Sequence, residues 1–225
     1  MTQARSIPRL TWPEPSLAKR AGLWALVIGA EWLLLFQGAD WLASRRSLQL
    51  SVQWPGEERI PLVPSLTLAY SSLYLMFALT PFLLRTRAAL DRFAFVLAFE
   101  TAVAAVCFVL LPVSVSFPTP GSAELGIWEG PFRLADAING THNGFPSLHV
   151  AFALSSGAVL DRPHGSRVFT LWALLISIST VLTHQHNVAD VLGGGLLALL
   201  ALRVSERASP STAWVDAPAD PQRLP

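Results

Sequence analysis

The chain has 225 residues, of which 52% are hydrophobic and only 14% are charged, and its formal net charge is +1. Soluble globular domains carry about 25% charged residues, so this composition excludes an ordinary soluble domain and indicates a single helical domain in a membrane. With one cysteine, Cys107, the chain has neither an internal disulfide nor a cysteine-based metal site.

Apolar stretches predict an all-α fold, a bundle of six transmembrane helices. The first three stretches approach or exceed the roughly 20 residues that a bilayer requires, whereas the last three are shorter. Glu31 and Glu100 lie inside the first and third stretches, where a carboxyl group needs a partner. The stretches run approximately over 21–42, 62–84, 93–115, 146–160, 168–182 and 188–204.

The distribution of positive charge predicts the orientation of the bundle. Twelve of the sixteen Lys and Arg residues lie in the termini and in the second and fourth connections, which the positive-inside rule places in the cytoplasm. We therefore expect both termini to be cytoplasmic. The expected organisation is an amino-terminal tail over 1–20, a six-span membrane domain over 21–207 and a disordered, proline-rich cytoplasmic tail over 208–225.

Two polar strings interrupt the apolar sequence, NGFPSLH at 143–149 and HNVAD at 186–190, and the predicted orientation puts both on the outer face. Ionisable groups are costly beside hydrocarbon, so these strings indicate a functional site. Pro146 fits the first turn of a helix, which places Ser147 and His149 near N–H groups that attract phosphate. His186 and Asp190 are four residues apart, so on a helix they share one face, and the carboxylate orients the imidazole.

The order of the two strings carries a resemblance to a known family. P-S-x-H at 146–149, followed by H-x-x-x-D-V-x-x-G at 186–194, resembles the second and third signature motifs of the type 2 phosphatidic acid phosphatase superfamily. The segments FPSLHVA at 145–151 and THQH at 183–186 are most similar in sequence to the inositol phosphorylceramide synthase-like branch. The likeness covers 62–204 and implies the six-helix transmembrane bundle of that superfamily.

The resemblance implies an integral membrane lipid phosphatase or phosphotransferase with a phosphohistidine intermediate. His186 would attack phosphorus, Asp190 would orient it, His149 would act as acid and then base, and no metal or cofactor is required. Ser147 would hold phosphoryl oxygens. The substrate would be a lipid phosphate among membrane lipids, reached from the outer, periplasmic face of a bacterial inner (plasma) membrane. We expect no nucleic-acid partner, and the oligomeric state and the identity of the lipid stay open.

The chain departs from the superfamily pattern at its cationic positions. The third motif usually opens with Ser-Arg, and here those positions are Ser179 and Thr180. The first motif should bring a lysine and an arginine near 111–118, which holds no cation; Arg85 and Arg92 have the right spacing but lie on the predicted inner side. The expected substitutes for phosphate binding on the outer face are Arg133, His142 and His184.

Two alternatives belong to other functional classes. A metal-dependent membrane hydrolase would use His149, His184, His186 and Asp190 as ligands, since imidazole and carboxylate suit zinc. Loss of activity in chelator would favour that reading. A non-catalytic membrane protein or transporter derived from this fold would keep the buried polar residues along a transport path and release no phosphate.

Overall fold

A computed structural model describes residues 13–84, 86–162 and 167–208. The all-α prediction is confirmed: within these residues the chain is helical, and β-pairing is limited to isolated bridges. Short 3₁₀ turns occupy 57–59, 64–66 and 126–128. The helices are α1 (Pro15–Ser44), α2 (Thr67–Leu83), α3 (Arg87–Leu110), α4 (Ser122–Leu125), α5 (Glu129–Ile138), α6 (Leu148–Asp161), α7 (Val168–Leu182) and α8 (Val188–Ala208).

Helices α1, α2, α3, α6, α7 and α8 coincide with the six apolar stretches. α1 starts at Pro15, earlier than the predicted Ala21, because proline suits the first helical turn. α3 starts at Arg87 rather than Phe93, since the Thr86 side chain accepts the N–H of Ala89 and caps the helix. Helices α4 and α5 lie in a connection for which the sequence predicted no helix.

By length and composition, α1, α3 and α8 are the described helices long and apolar enough to cross a membrane, while α6 and α7 are shorter apolar helices. That six helices cross the membrane and that both termini lie in the cytoplasm stay predictions. Of the predicted tails, 1–12 and 209–225 lie outside the described residues. Residues 15–20 already belong to α1, and Ala208 ends α8.

Helix α6 is the centre of the bundle, because it packs against α2, α3, α7 and α8. A Cβ at Gly157 would lie 2.8 Å from the Phe169 carbonyl oxygen, so the glycine lets α7 approach closely. Buried Glu100 of α3 finds its partner on α6, where the Ser155 hydroxyl donates to its carboxyl group at 3.2 Å. Helix α1 packs along α3 and barely touches α2.

One end of the bundle is covered by connecting segments that pair with one another. Val113 forms bridges to both Leu50 and Asn143, including a 3.0 Å bond from the Gly144 N–H to the Val113 carbonyl. Buried Glu57 accepts the N–H of Val188, the first residue of α8, at 3.2 Å. We call this the histidine end, because the starts of α6 and α8, with His149 and His186, both lie there.

The opposite end of the bundle holds Arg92 in the first turns of α3. Its guanidinium donates to the Ser205 hydroxyl near the end of α8. Arg92 is therefore a whole helix length away from His149 and His186, in agreement with its exclusion from the predicted site. Arg85 lies outside the described residues.

Asp161, the last residue of α6, caps the start of α7. Its carboxylate oxygens accept the N–H groups of Phe169 and Thr170 at 3.1 and 2.8 Å. We expect Asp161→Ala to lower the free energy of unfolding by about 1–2 kcal/mol, because two helix N–H groups lose their acceptor. Thermal unfolding in detergent measures the change.

Glu14→Ala is the matched control, since Glu14 occupies the N-cap of α1 without a side-chain capping bond. Equal melting temperatures for Asp161→Ala and Glu14→Ala would contradict this account of the α6–α7 connection.

Candidate active site

A cavity of about 440 Å³ lies between α1, α2, α3 and α6 and reaches the histidine end. The polarity of its lining changes along its length. Polar side chains line it at the histidine end, and apolar side chains of α1, α2, α3 and α6 line the remainder, which we call the apolar slot. The polar lining at the histidine end comprises Tyr70, Tyr74, Asn139, Asn143, His149, Gln185 and His186.

The start of α6 forms one wall of the polar end. Ser147 is the N-cap, and its hydroxyl oxygen accepts the Val150 N–H at 3.3 Å. Leu148 and His149 are the first two residues of the helix, whose N–H groups have no partner within a helix. Pro146 precedes the N-cap instead of standing in the first turn, but the predicted helix start with its anion-attracting N–H groups is present.

His149 is fixed against α2 by two contacts with Tyr70. Its Nε2 lies 2.7 Å from the Tyr70 carbonyl oxygen, and the two rings stack with centroids 3.8 Å apart. Because a carbonyl oxygen only accepts, Nε2 must carry a proton and donate it. Nδ1 is therefore the nitrogen of His149 that is able to gain or lose a proton.

The turn after α7 delivers His186 to the cavity. His184, just past the helix end, adopts a left-handed conformation with φ 57°. Its N–H bonds to the Val181 carbonyl and the Gln185 N–H to the Thr180 carbonyl, both at 2.9 Å, as in a Schellman motif. The His186 N–H also bonds to Thr180 at 3.1 Å, so this turn sets the position of Gln185 and His186.

His186 and Asp190 do lie together, but not on one helix as predicted. His186 precedes α8, which starts at Val188, because its N–H belongs to the turn after α7. Its Nδ1 is 3.6 Å from Oδ2 of Asp190, an ion-pair distance longer than a hydrogen bond. Asp190 is fully buried, and its Oδ2 accepts the Asn187 N–H at 2.8 Å, half of a capping box.

The starts of α6 and α8 are joined directly. The Ser147 N–H donates to the Asp190 carbonyl oxygen at 3.1 Å. A Cβ at Gly194 would lie 2.4 Å from the Ser147 carbonyl oxygen, so only glycine permits this approach. The junction brings Ser147, His149, His186 and Asp190 to one end of the cavity.

The structure does not bring the three expected phosphate-binding substitutes to this cavity. Arg133 faces the carboxylates of Glu129 and Asp136, each at 3.8 Å, and donates to the Pro120 carbonyl. His142 lies against Asp40 at the end of α1, and the backbone N–H of His142 donates to that carboxylate at 2.7 Å. The ring of His184 stacks on Phe117, and its Nε2 contacts the Ile60 carbonyl oxygen.

Sequence reasoning missed the amides that line the polar end. Asn139 bonds to the Tyr70 hydroxyl and to Gln185, and Gln185 donates to Asp136 at 2.7 Å, so a chain of bonds runs from α5 to α2. Asn143 is buried, and among the described residues its Nδ2 has no acceptor. Asn143 is the first residue of one polar string, and Asn139 and Gln185 lie just before the two strings, whereas no sequence signal indicated Tyr70.

The four ligands of the metal-dependent alternative do not converge. His149 and His184 are held by carbonyl oxygens of two different segments, Tyr70 and Ile60. Within the described parts of the chain, no three His, Cys, Asp or Glu side chains are grouped so that they could hold a metal ion. The arrangement fits a histidine–aspartate pair facing a second histidine.

We expect Gly194→Ala to lower the free energy of unfolding by about 1–3 kcal/mol, because the added methyl group meets backbone rather than a flexible side chain. Gly195→Ala is the matched control, since a Cβ there meets only Leu154 at 3.7 Å, an ordinary contact. Thermal unfolding in detergent compares the two variants. If they melt at the same temperature, the α6–α8 junction is looser than described.

Comparison with known proteins identifies the family of the chain. The family model described as PAP2 superfamily, PAP2_3, matches residues 42–204. No curated protein and no solved structure matches the chain. The match covers more than half of the sequence and includes both polar strings, and the described helices include candidate membrane spans. The chain is therefore a membrane protein that belongs to the PAP2 superfamily, the type 2 phosphatidic acid phosphatase superfamily whose motifs it resembles.

Proposed function

We propose that this protein removes or transfers the phosphoryl group of a lipid phosphate through a phosphohistidine at His186. One observation carries the proposal: the cavity that exposes His149 and His186 continues directly into the apolar slot. Such a cavity suits a molecule with a phosphate head and a hydrocarbon stem. Family membership supports the reaction class, because PAP2 proteins are mostly phosphatases and phosphotransferases.

In the first step, Nε2 of His186 attacks phosphorus, and the bond from phosphorus to the lipid oxygen breaks. The electron pair leaves with that oxygen, which takes a proton from His149. Asp190 faces Nδ1 of His186 and stabilises the positive ring that forms. The Tyr70 carbonyl retains the Nε2 proton of His149, so the proton is exchanged at Nδ1.

In the second step, the oxygen of water or of an alcohol attacks the phosphorus and gives its proton to His149. The bond from phosphorus to His186 breaks, and its electron pair returns to the imidazole. Water makes the protein a phosphatase and an alcohol makes it a transferase. The same residues serve both outcomes, so this site supports the two reactions equally.

The negative charge of the phosphoryl group is met by neutral donors in this proposal. The amide of Asn143 and the N–H groups at the start of α6 are the donors at the polar end of the cavity. The Ser147 hydroxyl supports them as the buried N-cap of α6. Fixed dipoles in a site shielded from water stabilise developing charge effectively. Asn143 thus takes the role that the sequence had predicted for Arg133, His142 and His184.

The proposed topology is the six-span arrangement with both termini in the cytoplasm and the histidine end on the outer, periplasmic face. The positive-inside distribution of Lys and Arg supports it. The likeness of 145–151 and 183–186 to the inositol phosphorylceramide synthase-like branch stays a prediction within the superfamily.

The test measures the release of diacylglycerol by the purified protein in excess chelator. The substrates are phosphatidic acid and phospholipids with alcohol headgroups, and each is assayed with and without an added alcohol. We expect His186→Ala to lower turnover by a factor on the order of 10³ or more, because the nucleophile is lost. Melting temperatures confirm that the variant is folded.

His142→Ala is the informative control, because His142 lies at the same end but bonds to Asp40 outside the cavity. It should keep most of the activity. Undiminished turnover in a folded His186→Ala protein would refute the proposed chemistry, and turnover that stops in chelator would favour a metal-dependent hydrolase.

A further inference from the structure

The apolar slot is walled on one side by α1, in a part of the chain that precedes the family match at residue 42. The α1 side chains that line it recur every three or four residues, so they form one face of the helix. Between Trp24 and Phe36 this face is about 18 Å long at 1.5 Å per residue. The wall comprises Ala21, Trp24, Ala25, Ile28, Gly29, Trp32 and Phe36.

The slot has a defined floor at the end away from the histidines. Trp24 lies there beside Ala21 and Leu90, near the starts of α1 and α3. Its indole Nε1 donates to the carboxylate of Asp91 at 2.6 Å. Arg20 donates two further bonds to that carboxylate, each at 2.5 Å, so the indole is anchored by an ion pair.

The slot is least enclosed on the side between α1 and α2, because α1 packs on α3 and barely touches α2, and its lining residues Ala25 and Gly29 are exposed. A lipid chain therefore has a route from the bilayer into the slot between these helices. Lipid tails are as apolar as the slot, so a chain gains little free energy by moving from the bilayer. Under this condition the slot selects chains mainly by excluding those that do not fit.

We propose, as an extension of the proposed function, that Trp24 limits the length of hydrocarbon chain that the substrate can have, because its indole forms the floor of the apolar slot. Chains that end at or before the indole react with similar efficiency. Longer chains must bend out of the slot between α1 and α2 or hold the phosphate away from His186. The substrate class is then a lipid phosphate with one chain inside the protein and a maximum length for that chain.

The experiment measures kcat/KM for lipid phosphates that share one headgroup and differ only in chain length. Wild-type protein should show a plateau and then a fall of about tenfold, the scale expected when a packed site is overfilled. Trp24→Ala should move the fall to longer chains. Gly29→Phe should move it to shorter ones, and a side chain fits at Gly29, where an added Cβ meets no atom within 4 Å.

Trp41→Ala is the matched control, since Trp41 lies on α1 but is 56% exposed and does not line the slot. It should keep the wild-type profile. Identical profiles for wild type, Trp24→Ala and Gly29→Phe would overturn the proposal.

A binding series separates this proposal from the proposed chemistry. Hydrolysis-resistant alkylphosphonates of increasing chain length are titrated into the wild-type protein and the same variants by calorimetry. A length limit that shifts with Trp24→Ala and Gly29→Phe supports the slot even if no lipid is hydrolysed. Binding without any such limit contradicts it, even if the protein is an active phosphatase.

Discussion

The site depends on the direct contact between the starts of α6 and α8. The Ser147 N–H bonds to the Asp190 carbonyl, and Gly194 allows the two backbones to meet. Each helix brings half of the proposed site. Helix α6 carries His149 and the N–H groups of a helix start, while α8 carries the carboxylate that faces His186. Because both halves are fixed to one backbone junction, small movements of the membrane helices do not separate them.

The cavity has polar groups that need hydrogen-bond partners at one end and apolar side chains at the other. Buried polar atoms without partners are costly, and in the described residues several collect near the junction, including His186 Nδ1, Asp190 Oδ1 and Asn143 Nδ2. In the proposed reaction the Asn143 amide donates to a phosphoryl oxygen. The apolar side chains of the slot need no hydrogen-bond partners. Moving a lipid chain from the bilayer into the slot changes the free energy little. This division suits a substrate with a polar head and a long apolar stem.

Sequence patterns predicted six of the described helices and proposed a set of catalytic residues, but they did not predict the environment of that set. Apolar runs and the PSLH and HNVAD strings led to α6, α8 and the candidate residues at their starts because these features are local in the chain. The supporting contacts come from distant segments: Tyr70 reaches His149 across 79 residues, and Glu57 reaches Val188 across 131. Arg133, His142 and His184, which the predicted orientation puts on the outer face, were expected at the phosphate. Charge and predicted topology alone do not show which partner each side chain finds.

The central claim is that His186 carries the phosphoryl group between the two half-reactions. The most direct measurement is a rapid acid-free quench of the protein reacting with a lipid labelled in its phosphate, followed by detection of label on the chain. We expect a labelled protein whose bond survives base and is lost in acid, as is typical of a phosphoramidate. The label should lie at His186, and His186→Ala should carry none. Label on another residue, or equal labelling of a folded His186→Ala protein, would contradict it.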